Sequence, residues 1–378
     1  MGTAERKLDH IIIALSDDVE AGDTLFGEVN LIHRSLPEMS LHEVDTSTSF
    51  LGKRLSSPLM ITGMTGGHHA AGEINRNLAR IAEELKIAIG VGSQRAALEN
   101  SELAWTYKVV REEARSVPVI ANIGAQQLGN RAVEIAERAV EMIEADALAI
   151  HLNPAQEVFQ SEGDTDLRGI LEKIEKVVDS LQVPIIVKET GSGMSRETVS
   201  MLAGAGVKIF DISGAGGTNW VKVEIIRRKK KGERIEIPGI QEIASWGIPT
   251  AISILEARSV SEDLFIIASG GIRSGLDVAK SLALGADLAG FALPALKAVA
   301  FSDKELRDLV SGYIYLLKRV MFLVGARSIG DLKKVPVVLG PKILSWLSQR
   351  EISVSSRSYN ENVNFIGKKH KMEGKKLD

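Results

Sequence analysis

The 378-residue sequence predicts an α/β fold: a (β/α)8 TIM barrel with an N-terminal extension and an insertion between strands six and seven. Three observations predict it. Short apolar runs recur at 59–62, 87–91, 119–122, 147–152, 185–188, 209–213, 265–269 and 288–292, each the length of a strand buried on both faces. Helical patterns lie between them, as at 74–85, 132–143, 167–181 and 195–203. Pro58, Pro118 and Pro184 stand just before strands, where a missing N–H is tolerated. A doubly wound open sheet is the alternative, but no GxGxxG fingerprint occupies the place that fold requires.

In chain order, residues 1–58 form the extension, expected to close over a substrate, and 59–354 form the barrel. The interval between the sixth and seventh strands is much longer than the others, and its surplus, 220–247, is an insertion on the catalytic side. It contains the basic run Arg227, Arg228, Lys229, Lys230 and Lys231, read as a solvated loop or helix face. Residues 355–378 are polar and charged, a tail expected to be mobile.

The stretch 265–294 organises the rest. An apolar run ends in Ser269-Gly270-Gly271-Ile272-Arg273-Ser274-Gly275. A helical pattern follows (Leu276, Ala279, Leu282, Ala283), then Gly285 as a stop and the last strand. Paired glycines let backbone N–H groups approach an anion and the arginine adds charge, which is how a strand-to-helix junction grips phosphate. In parallel barrels, phosphate commonly sits at the loops after strands seven and eight.

Composition narrows the class. Hydrophobic content of 44% and charged content of 25% are those of an ordinary globular protein. A net charge of −3 with 4% aromatics argues against nucleic acid. The absence of cysteine excludes disulfides, thiolate nucleophiles and zinc-thiolate sites and fits a cytoplasmic enzyme. The N-terminus has no apolar core ending in a small-residue cleavage site, so no signal peptide is expected. The apolar stretch 281–301 is interrupted by Asp287, Pro294 and Lys297; it reads as barrel strand and helix, not a membrane span.

The strand ends carry MTGG (64–67), GSQR (92–95), AN (121–122), HLNPAQE (151–157), VKETG (187–191), SGAGGTNW (213–220) and SGGIRSG (269–275). In these motifs the chain resembles the type 2, FMN-dependent isopentenyl-diphosphate isomerase family, from Arg6 to about Leu323. HLNPAQE with SGAGGTNW is specific; SGGIRSG is shared by many phosphate barrels.

The resemblance implies reversible isomerisation of isopentenyl diphosphate to dimethylallyl diphosphate, in isoprenoid biosynthesis, with reduced FMN as acid and base. It implies FMN contacts at Thr62, Gly63, Met64, Ser93, Asn122, Lys188, Ser213, Thr218, Gly271, Ile272, Arg273, Ala292 and Leu293. The residue types suit those roles: glycines for close approach, Asn122 and Ser93 for the ring's polar edge, and Lys188 as a cation beside its pyrimidine end. A lysine following Ile-Ile-Val is costly to bury without such a purpose, a structural ion pair being the other explanation.

For the substrate diphosphate the resemblance implies Arg6, Lys7 and His10, which alone read as a charged terminus, with Ser93, Gln94 and Arg95. Gln156 and His151 are the candidate catalytic residues, with Gln156 beside the reacting carbons, and Glu157 is the candidate ligand of Mg²⁺. One carboxylate suffices for Mg²⁺ when waters and substrate phosphates complete its shell; a solvated loop glutamate is the plain alternative. The adjacent His68 and His69 do not face each other on a helix and take no metal role. Trp220 walls the substrate tail or packs in the core. NADPH or another reductant would prime the flavin, and the family's habit implies a homo-oligomer, tetramer or larger.

Two other functions fit parts of the sequence. An FMN-dependent 2-hydroxy-acid oxidase shares the barrel, the lysine and SGGIR, but needs a histidine base in the later loops; there is no histidine from 152 to 369. A flavin- or phosphate-binding scaffold using the basic run to recruit an anionic partner is the other.

Overall fold

The computed structural model describes residues 3–353. The expected tail at 355–378 lies outside them. Eight parallel strands close a barrel in sequence order: β1 (Leu59–Ile61), β2 (Ala88–Gly90), β3 (Val119–Gly124), β4 (Ala147–His151), β5 (Ile185–Lys188), β6 (Ile209–Asp211), β7 (Phe265–Ala268) and β8 (Leu288–Phe291). Pairing of β8 with β1, with Gly290 opposite Met60, closes the ring. The (β/α)8 expectation is met.

The barrel is a packed core. Met60, Ala88, Ile120, Ala147, Ala149, Ile186, Ile267 and Leu288 fill it, small and branched side chains in layers. Its floor comes from residues before the first strand. Thr48–Phe50 and Lys53–Leu55 form a hairpin whose Phe50 and Leu55 join this core, with Phe50 stacked on Phe265 at 4.9 Å between ring centres. Lys53 ties the hairpin to Asp146, just ahead of β4, at 2.7 Å.

Residues 1–58 therefore serve both ends of the barrel. While the hairpin plugs the floor, helix α1 (Thr3–Ser16) lies over the opposite mouth. Arg6, Lys7 and His10 stand on this helix and do not precede all folded structure. Buried Ile13 joins Val19, Val223 and Leu293 in a small cluster that anchors it. That burial, and not helix propensity, stabilises so short an element.

The insertion supplies the other half of this cap. After α2 (Pro154–Phe159), which follows β4, the 220–247 region folds as α3 (Trp220–Lys230) and a short helix, Ile240–Ser245, around Val221, Ile225, Ile235, Ile240 and Ala244. One expectation is corrected here. Arg227, in the supposedly solvated basic run, is 2% exposed and pairs with Glu224 at 2.8 Å and with Glu162. Both carboxylates lie in the cap and compensate the buried charge, while Nε has no hydrogen-bond partner among the described residues and lies 3.5 Å from Asp9 Oδ2. The stretch 281–301 contains the expected strand and helix, preceded by the end of the helix Gly275–Ala283, and among the described residues no helix is long and apolar enough to cross a membrane.

Candidate active site

The carboxyl ends of the strands and the cap enclose a cavity with two joined lobes. The first, about 990 Å³, is lined by Thr62, Gly63, Met64, Lys188, Ser213, Thr218, Gly271, Arg273, Ala292 and Leu293, with Lys7 and His10 descending from α1. The second, about 700 Å³, is lined by Arg6, Lys7, His10, Ser93, Arg95, Asn122, His151, Gln156 and Glu157. Lys7, His10, Lys188 and Trp220 belong to both.

The first lobe fits a flavin mononucleotide. Its walls are bare backbone where a nucleotide must approach. A Cβ on Gly63 would come within 2.0 Å of the Val91 carbonyl. At Gly271, in the left-handed region at φ +75°, one would strike Thr24 and the Gly216 carbonyl. Only glycine is accommodated at either position. Arg273 stands beside these loops, its Nη1 donating to its neighbour's carbonyl at 2.8 Å and its Nη2 paired with Glu20.

The second lobe is cationic. Burial first, then Arg6 and Arg95, push the Lys7 ammonium down to about 8. Arg95 is held by Glu99 at 2.7 Å. At the lobe's floor, His151 Nδ1 bonds Asn122 Oδ1 at 2.8 Å while Asn122 Nδ2 donates to the Val91 carbonyl at 3.0 Å. The amide is thereby oriented, and the Nδ1–H tautomer follows. Burial, then Lys188 and Lys7, lower the His151 pKa to about 3, so the ring is neutral.

Beside the second lobe lies a cluster that motif reading missed. Glu224, fully buried on α3, accepts from His10 Nε2 at 2.9 Å, from Gln156 Nε2 at 3.0 Å and from Arg227 Nη1 at 2.8 Å. Burial alone would raise its pKa; His10, Gln156 and Arg227 instead hold it at about 2. Asn153 Nδ2 donates to Gln156 Oε1 at 3.1 Å, so both ends of the Gln156 amide are anchored. Trp220 meets the His10 ring edge-on at 5.0 Å. The one sequence signal for Glu224 is a lone carboxylate among valines and isoleucines, one helical turn after Trp220.

Two expected site residues do not line either lobe. Gln94 is fully buried, its Oε1 accepting from Asn122 N at 2.9 Å and its Nε2 donating to the Ala139 carbonyl at 2.8 Å. It supports Asn122 from behind. Ile272 is equally buried and belongs to the main core. Ser93 and Asn122, expected at the flavin's edge, line the second lobe. Glu157 Oε1 accepts from Asn153 Nδ2 at 2.8 Å and Oε2 from Asp164 N at 2.8 Å. The other Asn153 amide atom, Oδ1, is buried with no partner among the described residues.

The family model for FMN-dependent dehydrogenases matches residues 16–135 and 110–338. Among solved structures, a mandelate oxidase variant with benzaldehyde superposes with a TM-score of 0.61 at 18% identity, covering 89% of this chain and 98% of that one, a likeness of fold. In sequence, the isopentenyl-diphosphate delta-isomerase of Ignicoccus hospitalis is 49% identical over 93% of this chain and 98% of its own length. That of Methanothermobacter thermautotrophicus is 47% identical over 92% and 96%. The chain belongs to the FMN-dependent family of isopentenyl-diphosphate delta-isomerases.

Proposed function

We propose that this protein interconverts isopentenyl diphosphate and dimethylallyl diphosphate, an allylic proton shift without net redox change, with FMN in the first lobe. The observation that carries the reading is the join between the lobes. A cationic pocket formed by Arg6, Lys7 and Arg95 opens onto the cavity of the glycine loops, with Gln156, Glu224 and His10 clustered beside it.

When bound, reduced FMN supplies proton donation and acceptance at its N5 region and an electron-rich ring facing developing positive charge. The chain's residues do the rest. Gly271 and Arg273 hold the phosphate, Thr62, Gly63 and Met64 admit the ring, and Lys188 provides a cation beside it. Arg6, Lys7, His10, Ser93 and Arg95 bind the diphosphate. Gln156, anchored at both amide ends, orients the C5 chain, and Trp220 helps exclude water. Glu224 keeps a fixed negative charge beside His10 and Gln156, which suits a site where positive charge develops.

For Mg²⁺, Glu157 offers one carboxylate and Asn153 Oδ1 a second oxygen with no partner among the described residues, enough for an ion that also takes waters and diphosphate oxygens. The resemblance also supports NADPH or another reductant as primer, a homo-oligomer of four or more chains, and a cytoplasmic setting.

An FMN-dependent 2-hydroxy-acid oxidase is favoured by the dehydrogenase family model and disfavoured by the lack of histidine from 152 to 369. The test is anaerobic. Photoreduced holoprotein with Mg²⁺ and isopentenyl diphosphate should yield dimethylallyl diphosphate. No isomer, combined with oxidation of mandelate or lactate by the oxidised protein, would favour the alternative.

A further inference from the structure

Beneath the first lobe, on the barrel axis, is a small cavity of about 260 Å³, walled by Met60, Ile120, Ala149, Ile186 and Ile267 among others. Two charged side chains face it, Lys188 and Asp211. Lys188 lines the first lobe as well, so it connects the two spaces. Asp211 does not reach the upper lobe, and the family's motifs give it no role.

The strand register brings these two residues together. Lys188 on β5 is the direct Cα partner of Asp211 on β6, and in-register neighbours on parallel strands project to the same face. Asp211 is 2% exposed. Its carboxyl accepts from Ser269 Oγ at 2.5 Å and from the backbone N–H of Ser213. Ser213 and Ser269 both line the first lobe, and Ser213 is in the left-handed region at φ 35°, a conformation that needs such a tether in a residue with a Cβ. Lys188 Nζ meanwhile donates to the Glu189 carbonyl at 2.7 Å. The third titratable neighbour, His151, is the register partner of Lys188 on its other side and is held neutral as described above.

We propose that Asp211 is a positioning residue: a buried counter-charge to Lys188 that fixes the flavin-facing ends of β6 and β7 and sets the reduction potential of the bound flavin. This rests on FMN occupying the first lobe. Burial raises the Asp211 pKa, and Lys188, ahead of Ser269 and Ser213, opposes that rise, so the lysine is what keeps the carboxylate charged. An ion in an apolar barrel is poorly screened, so that carboxylate offsets much of the field the lysine exerts on the lobe. Removing that charge leaves the cation uncompensated beneath the ring and favours the reduced, anionic flavin.

The test is the midpoint potential of bound FMN, by anaerobic dye equilibration, in wild type and Asp211→Asn. Asn preserves shape and an acceptor for Ser269 and Ser213 but no charge. The reduced-to-oxidised ratio at a fixed ambient potential should rise at least tenfold, equivalent to about 30 mV for a two-electron couple. In a Lys188→Met background burial leaves the Asp211 carboxyl protonated, so the same substitution removes no charge and should change the ratio much less. A ratio unchanged within twofold, a fall, or an equal rise without Lys188 overturns the proposal. Should Asp211→Asn fail to fold, Ser269→Ala substitutes for it, since losing its hydrogen bond favours the neutral carboxyl; the ratio should again rise, and an unchanged ratio overturns the idea. Wild-type protein that binds no FMN would instead refute the reading of the first lobe.

Discussion

Gln156 donates its amide N–H to the Glu224 carboxylate at 3.0 Å, joining a loop helix after β4 to the insertion after β6. Gln156 lines the second lobe, and His10, which lines both, reaches the same oxygen from α1 at 2.9 Å. Three segments distant in sequence thus converge on one buried charge. Replacing it with Glu224→Gln removes the charge and leaves His10 and Gln156 facing an amide. We expect kcat to fall about a hundredfold or more, the scale of a lost electrostatic stabiliser of the transition state, with flavin content unchanged. Steady-state kinetics alongside flavin absorbance would check this; equal loss of flavin would make Glu224 structural.

Lys7 should be a binding residue with a visible titration. Its ammonium is held down to about 8 by burial and by Arg6 and Arg95, and its charged form is the one that attracts diphosphate. In the free enzyme, kcat/KM should therefore decline as pH rises through about 8. Lys7→Ala should raise KM at least tenfold, abolish that limb of the profile and leave FMN affinity intact. A profile unchanged by the substitution would remove Lys7 from substrate binding.

For Glu157 the measurement is a Mg²⁺ titration of activity. Glu157→Gln keeps the acceptor for Asp164 N but loses the charge, and half-maximal activity should require at least tenfold more Mg²⁺. A superimposable titration would leave Glu157 as a loop anchor only.

Glu189 predicts an effect on stability. Its Oε2 accepts four backbone N–H groups, from Thr190 to Gly193, yet burial dominates and raises its pKa from 4.5 to about 7. The folded protein thus holds a proton that the unfolded chain releases above 4.5. Its contribution is fully present below that pH and is lost as pH rises through about 7, on the order of 3 kcal/mol in all. His151, with its pKa lowered by burial, works in the opposite direction over part of this range. The comparison is therefore the wild-type melting temperature minus that of Glu189→Gln, from pH 4.5 to 8. The difference should fall with pH; a constant difference would contradict the raised carboxyl.

Much of this architecture is written locally. Residues 185–188 were expected as a strand and are one, because β-branched residues following Pro184 leave little else open. The expected strands at 59–62, 147–152, 209–213, 265–269 and 288–292 overrun the observed ends by one or two residues. At those positions, among them Thr62, Ser213 and Ala292, the chain leaves the ladder to line the cavity, and apolar periodicity does not register that departure. Helix α1 was hidden because its stability comes from Ile13 packing against Val223 and Leu293, contacts made hundreds of residues away. Glu224 and Asp211 were hidden for a related reason. A buried carboxylate is identified by its partners, and these come from three different segments of the chain. Arg227 reads as part of a solvated run because a run of basic residues carries no sign of which member turns inward.

The central claim is that a flavin in this barrel takes part in every turnover without being spent. The direct measurement is the number of dimethylallyl diphosphate molecules formed per reducing equivalent consumed, in anaerobic protein reduced once and then given excess isopentenyl diphosphate and Mg²⁺. We predict many products per electron pair, with the spectrum of the flavin still reduced at the end. One product per electron pair, or full turnover with the flavin oxidised throughout, would contradict the account.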